Sequence, residues 1–180
     1  MKTGSPYSRP KPKQEITKMQ ENFIIYNEEY VLIKDILKGL KNNTRAEIVF
    51  ITDSEGHCIA STGEMEDSHL NSISSLIAGS MAAVNGIGQM LKVDKFSTIL
   101  TESNSKNLHI SLINDRTMLI VIFDNTSNLG IIRFRVKAAT QELEKVFVTI
   151  NEKLKSSAFE QGASPFEGVS DEDIDEIFGD

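Results

Sequence analysis

Three histidines, one cysteine, one acidic turn and a short cluster of basic residues are the parts of this chain whose types could do chemistry. Their spacing argues against most of it. His57, His69 and His109 lie far apart in sequence and lack the short helical spacing by which two imidazoles reach one metal ion, so they read as solvated or core histidines. Cys58 is the only cysteine, which excludes an internal disulfide and fits a reducing compartment. The turn Asp53, Ser54, Glu55, Gly56 sets two carboxylates beside a glycine, a composition seen in calcium loops. One loop of this length supplies too few of the roughly six to eight oxygens such a site uses, and no metal is expected. Arg133, Arg135 and Lys137 have the chemistry to meet a phosphate; the plainer reading is a solvated or ion-paired helix face. No Walker phosphate loop, serine elbow, His-Glu-x-x-His or Cys-x-x-Cys occurs. The chain is expected to have no catalytic residue of its own and to need no cofactor.

The element that organises the rest is Leu70 to Leu91, LNSISSLIAGSMAAVNGIGQML, a helix by period. At roughly 100° per residue, Ile73, Leu76, Ile77, Val84, Ile87 and Leu91 share one side, which is expected to be the core face. Ser75, Gly79, Ala82 and Gly86 share another, with Ala83 at its margin, and this stripe is almost without side chains. Each mid-helix glycine costs about 1 kcal/mol relative to alanine, so a close approach of backbone to some other body would offset a real penalty. Whether that body belongs to this chain or to another one is left open by the pattern. Asp67 or Ser68 is the expected N-cap.

Around this helix the expected elements run in a clear order. A helix from about Glu28 to Asn42 has Val31, Ile36, Leu37 and Leu40 on its apolar side. EIVFITD and HCIAST form a hairpin closed by the Gly56 turn. KFSTILTES, LHISLIN and TMLIVIFD then make an antiparallel meander, the last strand central because it is apolar on both faces. A long final helix begins near Leu129 and Gly130, with Ile132, Val136, Ala139, Leu143, Val146, Ile150 and Leu154 as a single buried seam. The expected class is α+β, an α/β sandwich in the order α-β-β-α-β-β-β-α, with a five-stranded antiparallel sheet flanked by helices.

Charge divides the chain more sharply than its net −7 suggests. Residues 1–20 carry Lys2, Arg9, Lys11, Lys13 and Lys18 against Glu15, together with three of the four prolines, and read as a disordered basic leader. Met19 is an alternative start. Residues 26–156 form the domain, 157–169 a linker, and 170–180 an acidic amphipathic segment. In that segment Ser170 and Asp173 have the form of a capping box, and Ile174, Ile177 and Phe178 make one apolar patch. It either docks against something or serves as a solubilising tail. The middle of the chain is nearly balanced in charge and lacks a nucleic-acid footprint. No transmembrane span or secretory h-region is expected, which points to a cytoplasmic protein without membrane insertion.

VFITDSEGHCIASTG, SLIAGSMAAVNGIG and LIVIFDNTSNLGIIRFRVKAA resemble the Roadblock family over about residues 28–155. These are small domains that dimerise and regulate or scaffold Ras-like GTPases. IIYNEEY before the first helix and SPFEGVSDEDIDEIFGD at the end are similar to the flanks of bacterial polarity regulators within that family, from which residues 1–18 depart. The resemblance implies a homodimer with paired central helices and sheets joined edge to edge. It implies a small Ras-like GTPase as partner, stimulation of its GTP hydrolysis without an arginine finger, and a place at a cell pole in motility. Gly79, Ala82, Ala83 and Gly86 would be the contact surface, and Phe166 with Ile174, Ile177 and Phe178 would touch the GTPase elsewhere, tuning affinity or nucleotide exchange. GTP and magnesium would belong to the partner. The alternative is a scaffold that places a GTPase or motor complex without changing its chemistry.

Overall fold

A computed structural model describes residues 16–20 and 23–161, with side chains described over 25–156. The elements are β1 (Ile16–Gln20), β2 (Phe23–Tyr26), α1 (Asn27–Thr44), β3 (Ile48–Asp53), β4 (Cys58–Thr62), α2 (Asp67–Leu91), β5 (Thr98–Thr101), β6 (Lys106–Leu112), β7 (Thr117–Asp124) and α3 (Leu129–Gln161). Five strands form one antiparallel sheet in the order β4-β3-β7-β6-β5. β7 is central, as its two apolar faces require.

Period-2 alternation sends successive residues of the central strands into two cores. Ile48 and Phe50 of β3, Ile110 of β6, and Met118 and Ile120 of β7 meet Leu70, Ile77 and Met81 of α2. Val49, Ile51, Leu119, Val121 and Phe123 meet the α1 and α3 layer through Ile33, Leu37, Ile132, Val136 and Leu143. The α3 seam is buried as expected from Ile132 to Ile150, with Phe147 added and Val146 and Leu154 only partly covered.

Gly56 lies at φ +92°, and a Cβ there would sit 2.6 Å from the Cα of Ser75, so the β3–β4 turn packs directly on the α2 backbone. Asp53 stabilises that turn: its Oδ1 accepts from the N–H of Glu55 at 3.0 Å and of His57 at 2.8 Å. Asn128 caps α3, its side-chain oxygen accepting from the N–H of Gly130 at 2.9 Å and of Ile131 at 3.2 Å.

Several expectations are corrected. The buried side of α1 carries Ile33, Leu37 and Leu40, while Val31 is exposed and Ile36 half-buried. On α2 the buried stripe is Leu70, Ser74, Ile77, Met81 and Gly88. Of the six residues expected on its core face only Ile77 is fully buried; Ile73 and Val84 are half-buried, and Leu76, Ile87 and Leu91 are exposed. The reason is that α2 is apolar on most of its circumference, so periodicity does not single out the side that the sheet takes. The α2 N-cap is Glu66, one residue before the expected pair, and it makes no side-chain cap bond. Residues 16–20, expected within the disordered leader, form β1 and pair with β2.

α2 is also long and apolar enough by length and composition to cross a membrane, against the expectation that no segment would be. Only 22% of its most apolar window is buried inside the domain. The helix carries more apolar surface than its contact with the sheet uses.

Candidate functional site

That surplus defines the surface. On the helical wheel the side opposite Leu70, Ile77 and Met81 carries Leu76, Gly79, Ala83, Gly86, Ile87 and Met90. Leu76 is 71% exposed, Ile87 52% and Met90 87%. Gly79, Ala82 and Ala83 are exposed, and Gly86 is half-buried. A Cβ built on Gly79 or Gly86 would meet nothing within 4 Å. Nothing among the described residues therefore demands glycine at either position, which removes packing against them as the explanation for the bare stripe. Large apolar side chains stand beside gaps without side chains, a relief suited to receiving another helix or a flat partner surface. Sequence reasoning missed Leu76, Ile87 and Met90 as surface residues. The available signal was an apolar count too high for one buried stripe.

The strands at the two ends of the sheet differ. Lys34 of α1 donates to the carbonyl of Ser61 on β4, placing an ammonium against that strand. β5 at the other end is four residues long and partly exposed along its length.

The other candidates are scattered. Arg133, Arg135 and Lys137 are on the first turns of α3, on the opposite side of the sheet from α2. Arg135 leans over the ring of Phe134 at 5.8 Å, and the sheet keeps all three cations away from the α2 surface. His69 is solvent-exposed 3.9 Å from Glu66. His109 is buried on β6 with Nδ1 unpartnered, and burial, followed by the charge of Arg133, pushes its pKa below the ordinary histidine value. His57 stands with Asp53 and Glu55 in a cluster whose ligating atoms lie within 4.8 Å of one another. Both oxygens of Asp53 are already engaged there, Oδ1 by the two backbone N–H groups and Oδ2 by His57 Nδ1 at 3.1 Å, so the group holds the turn shut. Phe166, Ile174, Ile177 and Phe178 lie outside the described residues.

A partly open pocket lies beside the surface. Between α2 and the β6–β7 turn is a cavity of about 110 Å³ whose wall includes Ala78, Met81, Ala82, Asn85, Thr117 and Met118. Lys95 and Asp115 pair at 2.5 Å beside it, and the hydrogen bond holds the Asp115 carboxyl below its ordinary pKa.

The model of the Roadblock/LC7 domain matches residues 32–123. Among solved structures, Myxococcus xanthus MglB aligns with TM-score 0.65 at 32% identity, covering 67% of this chain and 98% of that one. A gliding protein from Thermus thermophilus, MglB, aligns with TM-score 0.66 at 20% identity over 71% of this chain and 97% of that one. A structure described as MglB with tetrameric arrangement aligns with TM-score 0.68 at 18% identity over 73% and 99%. These last two show the shared fold. No curated protein matches the sequence.

Proposed function

The chain belongs to the Roadblock/LC7 family, and from that membership we propose that it is a homodimeric regulator of a small Ras-like GTPase of the MglA type, stimulating GTP hydrolysis in the control of cell polarity and motility. The observation that carries this reading is the outward face of α2, where Leu76, Ile87 and Met90 stand exposed beside Gly79 and Ala83. Two such helices side by side cover part of each other's apolar surface and leave Gly79, Ala82, Ala83 and Gly86 of both copies as a platform for one GTPase. Joining the sheets edge to edge through β5 extends the same dimer.

The regulator works by selecting a conformation of its partner. It binds most tightly the GTPase state whose own catalytic groups and switch loops are aligned, and the population shifts by that differential affinity. A tenfold shift takes about 1.4 kcal/mol, within reach of one apolar side chain buried in one state and not the other. GTP and magnesium stay with the GTPase, and this chain brings no arginine finger; Arg133 and Arg135 lie across the sheet from α2, and Arg116 stands beside it in the turn before β7. The terminal segment with Phe166, Ile174, Ile177 and Phe178 touches the GTPase elsewhere and tunes affinity and nucleotide exchange. The protein works in the cytoplasm, concentrated at a pole.

Single-turnover GTP hydrolysis with purified components tests the reading. Ala82→Arg and Gly86→Arg are expected to keep the dimer folded and abolish stimulation; full stimulation by either would overturn the surface assignment. Wild-type protein that binds the GTPase without changing its hydrolysis rate would make it a scaffold. Deleting residues 164–180 is expected to preserve the dimer and weaken the GTPase complex. An unchanged affinity and exchange rate would return that segment to a solubilising role.

A further inference from the structure

We propose that the acidic segment 164–180 of this chain lies back along α3 and seats Ile174, Ile177 and Phe178 beside Phe134, where α3 and α1 leave a groove. The seat is apolar and cationic together. On the first turns of α3, Phe134 is 69% exposed and Ile131 is exposed beside it. The same turns carry Arg133, Arg135 and Lys137, and no carboxylate stands between Leu129 and Gln141. None of these three cations forms an ion pair among the described residues; Arg135 rests against the Phe134 ring instead.

Next to Arg135 a groove of about 310 Å³ opens between the two helices, lined by Leu32, Ile36 and Gly39 of α1 and Ala138 of α3. Leu32 is exposed. Gly39 lies inside α1, where glycine is disfavoured, and a Cβ on it would meet nothing within 4 Å. Apolar surface therefore stands open beside unpaired cations, across the sheet from α2.

Charge, pattern and length name the occupant. Residues 164–180 contain carboxylates and no cation. At helical spacing Ile174, Ile177 and Phe178 fall on one side, with Asp171 and Asp175 along its edge. Carboxylates are favoured at the N-terminal end of a helix, which is where the α3 cations lie. The reach agrees as well. From Gln161 back to Phe134 α3 runs ~40 Å at 1.5 Å per residue. Residues 162–169 span ~27 Å when extended, and a helix over 170–178 adds ~13 Å, which brings Phe178 level with Phe134. On that path Phe166 passes Val148, which is exposed on the same side of α3 as Phe134. A tether this short presents the segment at millimolar effective concentration, so a contact with a dissociation constant of about 0.3 mM keeps it mostly docked. Under the proposed function the GTPase draws the segment from this resting place; the docking itself does not rest on that reading.

The chain has no tryptophan, so Phe178→Trp in the full chain is a single reporter. Its emission is expected at shorter wavelength than that of the free peptide 164–180 carrying the same substitution, and acrylamide is expected to quench it about threefold less efficiently. Phe134→Ser and Arg135→Glu, both at exposed positions, are each expected to weaken this protection, and together to return quenching to the peptide's value with circular dichroism unchanged. Quenching equal to the peptide's in the chain with an intact seat, or protection that survives both substitutions together, overturns the site. The doubly substituted reporter chain is then mixed with excess full-length chain carrying Ile177→Ser and Phe178→Ser, whose own seat is left open. Quenching is expected to stay at the peptide's value. Recovered protection would assign the seat to the segment of a second copy and overturn docking within one chain.

Discussion

Gly56 shows how a single residue fixes an element. Its φ of +92° and the 2.6 Å that would separate a Cβ from the Ser75 backbone leave no room for a side chain. Gly56→Ala is expected to cost about 2–3 kcal/mol, combining conformational strain with displacement of α2, as read from the urea midpoint at constant slope. His109 carries a pH prediction. Its pKa is lowered in the folded protein by burial and then by Arg133, so the unfolded chain binds the proton more readily. Stability from the neutral ring is therefore complete above the ordinary value near 6.5 and lost as pH falls below it. Wild-type protein is expected to lose up to about 1.4 kcal/mol per pH unit there, and His109→Leu to flatten the profile. A variant with the wild-type slope would remove His109 as the cause. The Gly56 turn was legible in the sequence because an acidic turn ending in glycine between two apolar runs has few other uses. The burial of His109 was not, since it depends on which face of β6 lies under α3.

At the scale of elements, α2 separates two neighbours on one helix. Ile77 is 3% exposed and Leu76 is 71% exposed. Ile77→Ala is expected to cost about 2–4 kcal/mol at any protein concentration. Leu76→Ala is expected to cost less than about 0.5 kcal/mol when dilute, and, under the proposed dimer, more as the concentration rises. Equal, concentration-independent losses would mean that Leu76 faces the core. α1 and α3 are held at one end by Lys153, which donates to buried Glu29 and lies 5.6 Å from the Tyr26 ring centroid. The hydrogen bond to Glu29 raises the lysine pKa above its ordinary 10.5, so this support is present below that pH and lost as pH rises through the folded value. Lys153→Met leaves a carboxylate buried without its cation and is expected to cost about 3 kcal/mol. Most of that returns in the double variant with Glu29→Gln, as a thermal melt of the three proteins reads directly.

For the whole molecule, the sheet is a partition. The α1 and α3 layer lies on one side, with the α3 arginines on its surface; among the described residues α2 is the only helix on the other. Over five strands, that single helix has no neighbour on its outer face among the described residues, whereas the two helices over the other face cover each other. This asymmetry is what the proposed function uses: the outer face of α2 is free of neighbours among the described residues, and Arg133 and Arg135 lie across the sheet from it.

The sequence by itself determined the three helices and the five strands of the main sheet, their order, the central position of β7, the Gly56 hairpin and the α3 seam, because each is encoded by local period or by a turn that only certain residues adopt; the β1–β2 pair was missed because its residues lie in and beside a basic, proline-rich stretch. It also contained the small-residue stripe as a composition. Only the tertiary structure decided which side of α2 is buried. A helix apolar nearly all round has no preferred face until the sheet's own side chains, Phe50, Ile110 and Ile120 among them, offer it one. The same docking turned Leu76, Ile87 and Met90 outward.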